Sequence, residues 1–332
     1  MKENAIPLVS IIINNYNYAR FLPTAIESAL GQSYPHKEIV VVDDGSTDES
    51  QEIILKQDCR VVPILKTNGG QASALNAGVA QSRGKIICFL DSDDCWYPDK
   101  VARIVEIIER EGGDSRPLLV HHLLEVLDQS TGEMRGQYMG ERHKSPYNLY
   151  ELARRYRYIP YIAGPTSGIS INRALAKLLF PLPEHRVSIS ADDFVVLGAS
   201  LVGELHSLNA VLGCYRVHDR NAWFRSDRRK SPEFVKTLDD YLNQKLASNG
   251  LSPVISFYDS MYCWQQLVHG NRWLALIGSM IKLLAVQRDT LTLQFVYETM
   301  KLIFNRTPLR RYPIFRQVVE ITRPLRIRFL GW

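Results

Sequence analysis

Two nearly continuous apolar runs, Val9-Ser10-Ile11-Ile12-Ile13 and Ile39-Val40-Val41-Val42, constrain this chain more than any other feature. A strand with no polar face has to be covered on both sides. The stretches between such runs read as helices. Leu8 to Ile13 is expected as a strand, about Phe21 to Leu30 as a helix, Glu38 to Val42 as a strand, and Asp48 to Gln57 as a helix. The rhythm repeats with a strand Val61 to Leu65, a helix Ala72 to Gln81 and a strand Lys85 to Leu90. This alternation predicts an α/β fold, a doubly wound and mostly parallel sheet with helices on both faces. Ligands of such sheets bind beyond the carboxyl ends of the strands.

The polar clusters of the first hundred residues fall at those ends. Asn14-Asn15-Tyr16-Asn17 follows the first strand, Asp43-Asp44-Gly45-Ser46-Thr47-Asp48 the second, and Thr67-Asn68-Gly69-Gly70-Gln71 the third. Asp91-Ser92-Asp93-Asp94 follows the fourth. Each alone is explicable as turn or cap chemistry, and a solvated acidic turn leading into a helix Asp99 to Arg110 is the plain reading of the last. Three crowded carboxylates beyond a buried strand are also what a divalent cation carrying a diphosphate requires. Four such loops converging on one edge favour the ligand reading.

The remainder is less regular. Strands are expected over Leu118 to Leu127, Thr166 to Ile171 and Glu204 to Tyr215, with helices over Arg173 to Leu179 and from Ser190-Ala191-Asp192-Asp193 to Leu201. From about Ser231 the pattern turns helical, with Phe234 to Leu246, Val254 to Leu267 and Trp273 to Leu284 as candidates. The expected division is a ligand-binding domain over residues 1–225 and a helical, basic C-terminal region over 226–332.

Composition narrows the setting. The 332 residues are 45% hydrophobic, enough for a sizeable core. The five cysteines lack CxxC spacing, which argues for reduced thiols in the cytoplasm and against a zinc site or disulfide frame. The first residues carry no long apolar stretch, so no signal peptide is expected, and Trp273 to Val286 is too short and interrupted to span a bilayer. The net charge of +5 is concentrated at the end: Lys301, Arg306, Arg310, Arg311, Arg316, Arg323, Arg326 and Arg328 face one acid, Glu320. With Tyr312, Phe315, Phe329 and Trp332 among them, these residues fit peripheral contact with an anionic membrane surface, and equally a solvated basic helix. Nucleic acid is not expected as a partner, because no recognised reading module accompanies the charge.

The motifs together resemble the family 2 glycosyltransferases of the GT-A fold. The residues that carry the resemblance are Val9 to Ile13 leading to Tyr16-Asn17, Val41 to Asp48, Asn68-Gly69-Gly70 with Ala74 and Asn76, and Phe89 to Asp94. It spans about residues 7 to 222 and departs from the family at Asn14-Asn15, where Pro-Thr is frequent. It implies transfer of a sugar from a nucleoside diphosphate sugar, a UDP-sugar by expectation, to a hydroxyl of a glycan or lipid-linked acceptor in surface polysaccharide synthesis. Asp44 would accept the uracil imide N–H, with Asp43, Asn15 and Tyr16 around the base, and Asn68, Gly69 and Gly70 would approach the nucleotide. Asp91 and Asp93 match the DxD motif that holds Mn²⁺ or Mg²⁺ against the diphosphate, with Arg216 or His218 reaching the diphosphate or the metal. The acidic pair Asp192-Asp193, where Glu-Asp is common, would supply the base of an inverting reaction, Asp193 by the pair register and Asp192 as the alternative. A silent sugar-nucleotide-binding protein and a nucleotidyltransferase of similar fold are the competing readings. The acids speak against the first, and the missing basic triphosphate loop after the first strand against the second.

Overall fold

The computed structural model describes residues 6–138, 148–156, 164–184, 190–219, 221 and 232–253. The expected helices Val254 to Leu267 and Trp273 to Leu284, the basic tail from Lys301, and the division near residue 225 lie outside the described residues. By compactness the chain divides into two units. One holds Met1–Tyr150, Pro160–Arg228 and Asp240–Pro253; the other holds Glu151–Ile159, Arg229–Asp239 and Val254–Trp332.

The first half follows the predicted rhythm closely. Strand β1 covers Val9–Asn15, α1 Leu22–Leu30, β2 Lys37–Asp43, α2 Ser50–Leu55, β3 Val61–Leu65, α3 Gln71–Gln81 and β4 Ile86–Asp91. A two-residue strand β5, Cys95–Trp96, and α4, Lys100–Arg110, complete it. Then come β6 Leu118–Asp128, β7 Met134–Tyr138, α5 Tyr150–Tyr156, β8 Ile169–Asn172, α6 Arg173–Leu179, α7 Ala191–Val202, β9 Glu204–Val217 and α8 Pro232–Ser248.

The strands form one sheet in the order β3-β2-β1-β4-β8-β6-β9-β5, with β7 paired to β6. The pairs β1–β2, β1–β4, β2–β3 and β6–β9 are parallel, whereas β8 runs antiparallel to both β4 and β6, and β5 to β9. The expected strand Thr166 to Ile171 is therefore two things. Thr166–Gly168 is a single 3₁₀ turn, and only Ile169–Asn172 joins the sheet.

Both faces of the parallel core are covered. Val9, Ile11, Ile13, Ile39, Val41, Cys88 and Leu90 pack in one cluster with Leu22, Ala25, Ile26 and Ala29 of α1 and with Val101, Ile104 and Ile108 of α4. Ile12, Val40, Val42 and Phe89 point to the opposite side, as strand alternation requires, and they too are buried. There α3 presses so close that a Cβ on Gly78 would stand 2.5 Å from Ile12 Cγ2 and 3.3 Å from Val42 Cγ2. Phe180 stacks on Phe89 with ring centroids 6.1 Å apart on that same side. Gly78 thus sets how tightly α3, and with it the loop before α3, lies on the sheet.

Gly78→Ala should lower stability by about 1–3 kcal/mol through overpacking. Denaturant titration checks this, and coupling with Ile12→Ala, which removes Cγ2, in a double-mutant cycle assigns the cost to that contact; an additive pair would not.

Candidate active site

The site begins as a matter of register. Because β1 is parallel to both neighbours, Asn15 lies opposite Asp43 on β2 and Asn14 opposite Asp91 on β4. The side chains meet accordingly. Asn15 Nδ2 donates to Asp43 Oδ1 at 2.8 Å and Asn14 Nδ2 to Asp91 Oδ1 at 2.8 Å. The carboxamide oxygens of both asparagines are buried and without a hydrogen-bond partner among the described residues.

The loop after β2 is held from within. Asp43 Oδ2 accepts from Ser46 N–H at 2.9 Å and from Gln51 Nε2 at 3.1 Å, so Asp43 has the turn-forming role that its residue type favours. Asp44 is buried and receives three donors: Gly70 N–H at 2.7 Å, Gly69 N–H at 3.0 Å and Lys66 Nζ at 2.6 Å. Two features allow this close approach. Gly45 has φ +77°, where a Cβ would stand 2.7 Å from Asn68 N, and Gly70 has φ +87° as the residue that opens α3. Asn68 Nδ2 donates to the Asp44 carbonyl at 3.0 Å. Tyr16 stands exposed at the rim, with 47% of its surface accessible. An open groove of about 540 Å³ lined by Gly45, Ser46, Gln51, Leu65, Lys66, Thr67 and Asn68 lies beyond the ends of β2 and β3.

Asp91, Asp93 and Asp94 present carboxylate oxygens that all lie within 4.8 Å of one another. None caps α4, whose first residue is preceded by Asp99 without a side-chain cap. Their partners differ. Asp94 is committed, since its oxygens accept from Ser167 Oγ at 2.6 Å and from Arg216 N–H at 2.9 Å. Asp93 Oδ2 accepts from His218 Nε2 at 3.1 Å and Asn221 Nδ2 at 3.2 Å. His218 therefore holds Asp93 and is not one of the three clustered oxygen donors. Its ring lies against Phe21, with centroids 4.4 Å apart, and edge-on to Tyr18 at 5.4 Å.

Burial, then the charge of Asp93, pushes Asp91 up to about 7, and Asp192 adds to the shift against the opposing bond from Asn14. Burial, then Asp93 and Asp91, pushes Asp94 well above the usual carboxylate range. An all-oxygen acidic set in which the charge of Asp93 disfavours ionisation of Asp91 and Asp94 suits a hard divalent cation. Asp192 and the buried Asp193 lie in the first turn of α7, and the effect of Asp192 on Asp91 brings that turn into the electrostatic field of the acidic cluster.

Several contributors were not singled out from the sequence. Gln71 bridges Asp91 Oδ1 at 3.3 Å, Thr166 Oγ1 at 3.2 Å and Ala191 N–H at 3.0 Å. Ser167 accepts from Asp91 N–H at 3.0 Å while donating to Asp94, and its carbonyl accepts from Trp96 Nε1 at 2.8 Å. Gln71 adjoins the Gly-Gly pair and could have been suspected; Ser167 sits 73 residues from Asp94, and nothing local marks it.

Known proteins resemble this chain in sequence and in fold. The model of the glycosyl transferase family 2 matches residues 10–117. An uncharacterized glycosyltransferase of Nostoc sp. is 32% identical over 252 residues, which cover 73% of this chain and 76% of that protein. The chain belongs to glycosyltransferase family 2. A further relative, the Escherichia coli UDP-Glc:alpha-D-GlcNAc-diphosphoundecaprenol beta-1,3-glucosyltransferase WfaP, is 42% identical over 107 residues, 31% of this chain and 42% of that enzyme. In fold, this glycosyltransferase is similar to S. aureus TarS 1–349, solved in complex with UDP-GlcNAc. The TM-score is 0.53 at 19% identity, over 95% of this chain and 91% of that one. The mostly parallel, helix-covered sheet expected from the apolar runs is thus that of the GT-A enzymes.

The raised Asp91 has a consequence for stability. A carboxyl whose folded pKa exceeds its unfolded value contributes full stability below about pH 4 and loses it as pH rises through the folded value, here about 7. Asp91→Asn keeps an oxygen for Asn14 and Gln71 and removes the charge. In chelator-treated buffer at pH 8 it should melt about 3 °C or more above the wild type, and the gap should close toward pH 4. A gap constant across that range would count against the assignment.

Proposed function

We propose that this glycosyltransferase moves a sugar from a UDP-sugar to a hydroxyl of a glycan or lipid-linked acceptor, with inversion and with the help of Mn²⁺ or Mg²⁺. The observation that carries this reading is the cluster of Asp91, Asp93 and Asp94 within 4.8 Å, at the strand ends and in the field of Asp192. The UDP-Glc named as donor of WfaP and the UDP-GlcNAc in the TarS structure support a UDP-sugar donor.

In this reading Asp91 and Asp93 hold the metal against the diphosphate, and Asp94 keeps its place as their anchor. A divalent ion there would offset the charge that develops on the departing nucleoside diphosphate. His218 and Asn221 orient Asp93 as outer partners orient metal ligands elsewhere. The nucleotide lies along Asn15, Tyr16, Asp43, Asp44, Asn68, Gly69 and Gly70. Asn15 and Asp44 flank the place of the base in this reading, Asp44 with its carboxylate held by Lys66 and by the Gly69 and Gly70 amides. Asp193, or Asp192 beside it, takes the proton from the acceptor hydroxyl as that oxygen attacks the anomeric carbon.

The setting follows from the same reading. No helix among the described residues is long and apolar enough to cross a membrane. We place the enzyme in the cytoplasm, with residues 226–332 as a helical region whose basic, aromatic end touches the anionic face of the membrane. Removing residues after Asn305 should then lower co-sedimentation with phosphatidylglycerol vesicles at low salt, and unchanged sedimentation would reject the contact.

The donor assignment is tested by thermal shift. UDP with Mn²⁺ should raise the melting temperature, UDP with chelator should not, and Asp93→Ala should lose most of the metal-dependent rise. A rise that survives in Asp93→Ala would remove Asp93 from the metal site.

A further inference from the structure

The helix that carries the acidic pair has an irregular start. The first N–H groups of any helix lack intrahelical partners, and a Ser side chain at the preceding position is their usual acceptor. Ser190 occupies that position before α7 but adopts a left-handed conformation, φ 61° and ψ 36°, and its side chain makes no cap bond. The acceptor comes instead from a remote element. Gln71 Oε1 accepts from Ala191 N–H at 3.0 Å, across 120 residues of sequence.

That bond fixes the rest of the side chain. Only the carboxamide oxygen can accept from an N–H, so the amide nitrogen faces the other way. Gln71 Nε2 there donates to Asp91 Oδ1 at 3.3 Å and to Thr166 Oγ1 at 3.2 Å. Gln71 is itself placed by the first turn of α3, which begins at Gly70, whose N–H is held by Asp44 at 2.7 Å. One neutral side chain therefore joins the donor-side carboxylate, the nucleotide loop and the turn that bears Asp192 and Asp193.

We propose that Gln71 is a positioning residue for the transfer: it caps α7 from outside and sets the acidic pair at a fixed place relative to Asp91. The inference rests on the reading of the site as a metal-assisted glycosyltransferase centre. A neutral amide is required in this place. A carboxylate at position 71 would set a further negative charge against Asp91, which Asp93 and Asp192 already disfavour ionising.

Two variants of the full chain test it, with Mn²⁺, UDP and UDP-glucose, UDP-GlcNAc or UDP-galactose as probes. Gln71→Met removes both polar ends at similar volume. It should speed hydrogen exchange of the Ala191 amide at least tenfold. It should also lower kcat for metal-dependent hydrolysis of the preferred UDP-sugar at least tenfold, while the Kd for UDP with Mn²⁺ changes less than threefold by calorimetry. Gln71→Glu keeps an oxygen for Ala191, so exchange there should stay within threefold of wild type while kcat falls at least tenfold. Unchanged Ala191 exchange in Gln71→Met, or wild-type kcat in Gln71→Glu, overturns the proposal. A wild-type protein that binds UDP without regard to metal and hydrolyses none of the three sugars would overturn the functional reading instead, and the exchange measurement would still decide the role of Gln71 at α7.

Discussion

The parallel register of β1 between β2 and β4 is the constraint on which the rest depends. Shifting either neighbour by one residue would turn Asp43 or Asp91 to the opposite face of the sheet and leave Asn15 or Asn14 without its partner. The register is enforced by burial. Ile11, Ile12, Ile13, Val40, Val41, Ile87, Phe89 and Leu90 are almost wholly covered, so a slip would expose or clash apolar groups on both sides at once. The polar edge is thus positioned by an apolar core that takes no part in chemistry.

Crowding carboxylates at that edge is unfavourable, and the structure answers it with fixed dipoles. Asp94 receives the Ser167 hydroxyl and the Arg216 amide, Asp93 receives His218 and Asn221, and Asp91 receives Asn14 and Gln71. These donors come from β1, α3, the 3₁₀ turn and the end of β9, so the cluster also ties together elements far apart in sequence. Beneath it Lys100 is fully buried, with Nζ donating to Ser170 Oγ at 2.9 Å and lying 3.6 Å from the centre of the Trp96 ring. Burial pushes its ammonium below the usual lysine range. The same Trp96 holds the Ser167 carbonyl, so the buried lysine supports the floor of the acidic cluster through an aromatic ring.

What was legible in the sequence tracks how local each signal is. The strands and helices through Arg110, β5 apart, were readable within one or two residues because each depends on its own apolar period and its own turn residues. The sheet beyond β4 was not. That β8 runs antiparallel between β4 and β6 follows from pairing between residues about 80 and 50 apart, such as Ile87 with Ile171 and Leu119 with Ile171. The two-residue β5 carries no periodicity at all. In the site, Asp91, Asp93 and Asp94 were visible as a cluster, yet their division of labour depends on Ser167, Arg216 and Asn221, which lie 73 to 128 residues away. Gln71 was visible only as the neighbour of two glycines.

Asp44 shows how a residue can be prominent in sequence and still owe its position to others. Its carboxylate sits where the Gly69 and Gly70 N–H groups and the Lys66 ammonium converge, a concave set of donors of the kind that binds free anions. The protein fills this nest with its own side chain. The bonds draw the loop after β3 onto the loop after β2 and fix where α3 begins. Pre-organisation of that kind removes ordering entropy that a ligand would otherwise have to overcome. It also links the loop after β2 to α7 in a short physical chain, from Asp44 to Gly70, through the first turn of α3 to Gln71, and across to Ala191. Substitution of Asp44 would therefore disturb the acidic pair as well as the proposed base pocket, and a loss of turnover on its removal is not by itself evidence of contact with the nucleotide.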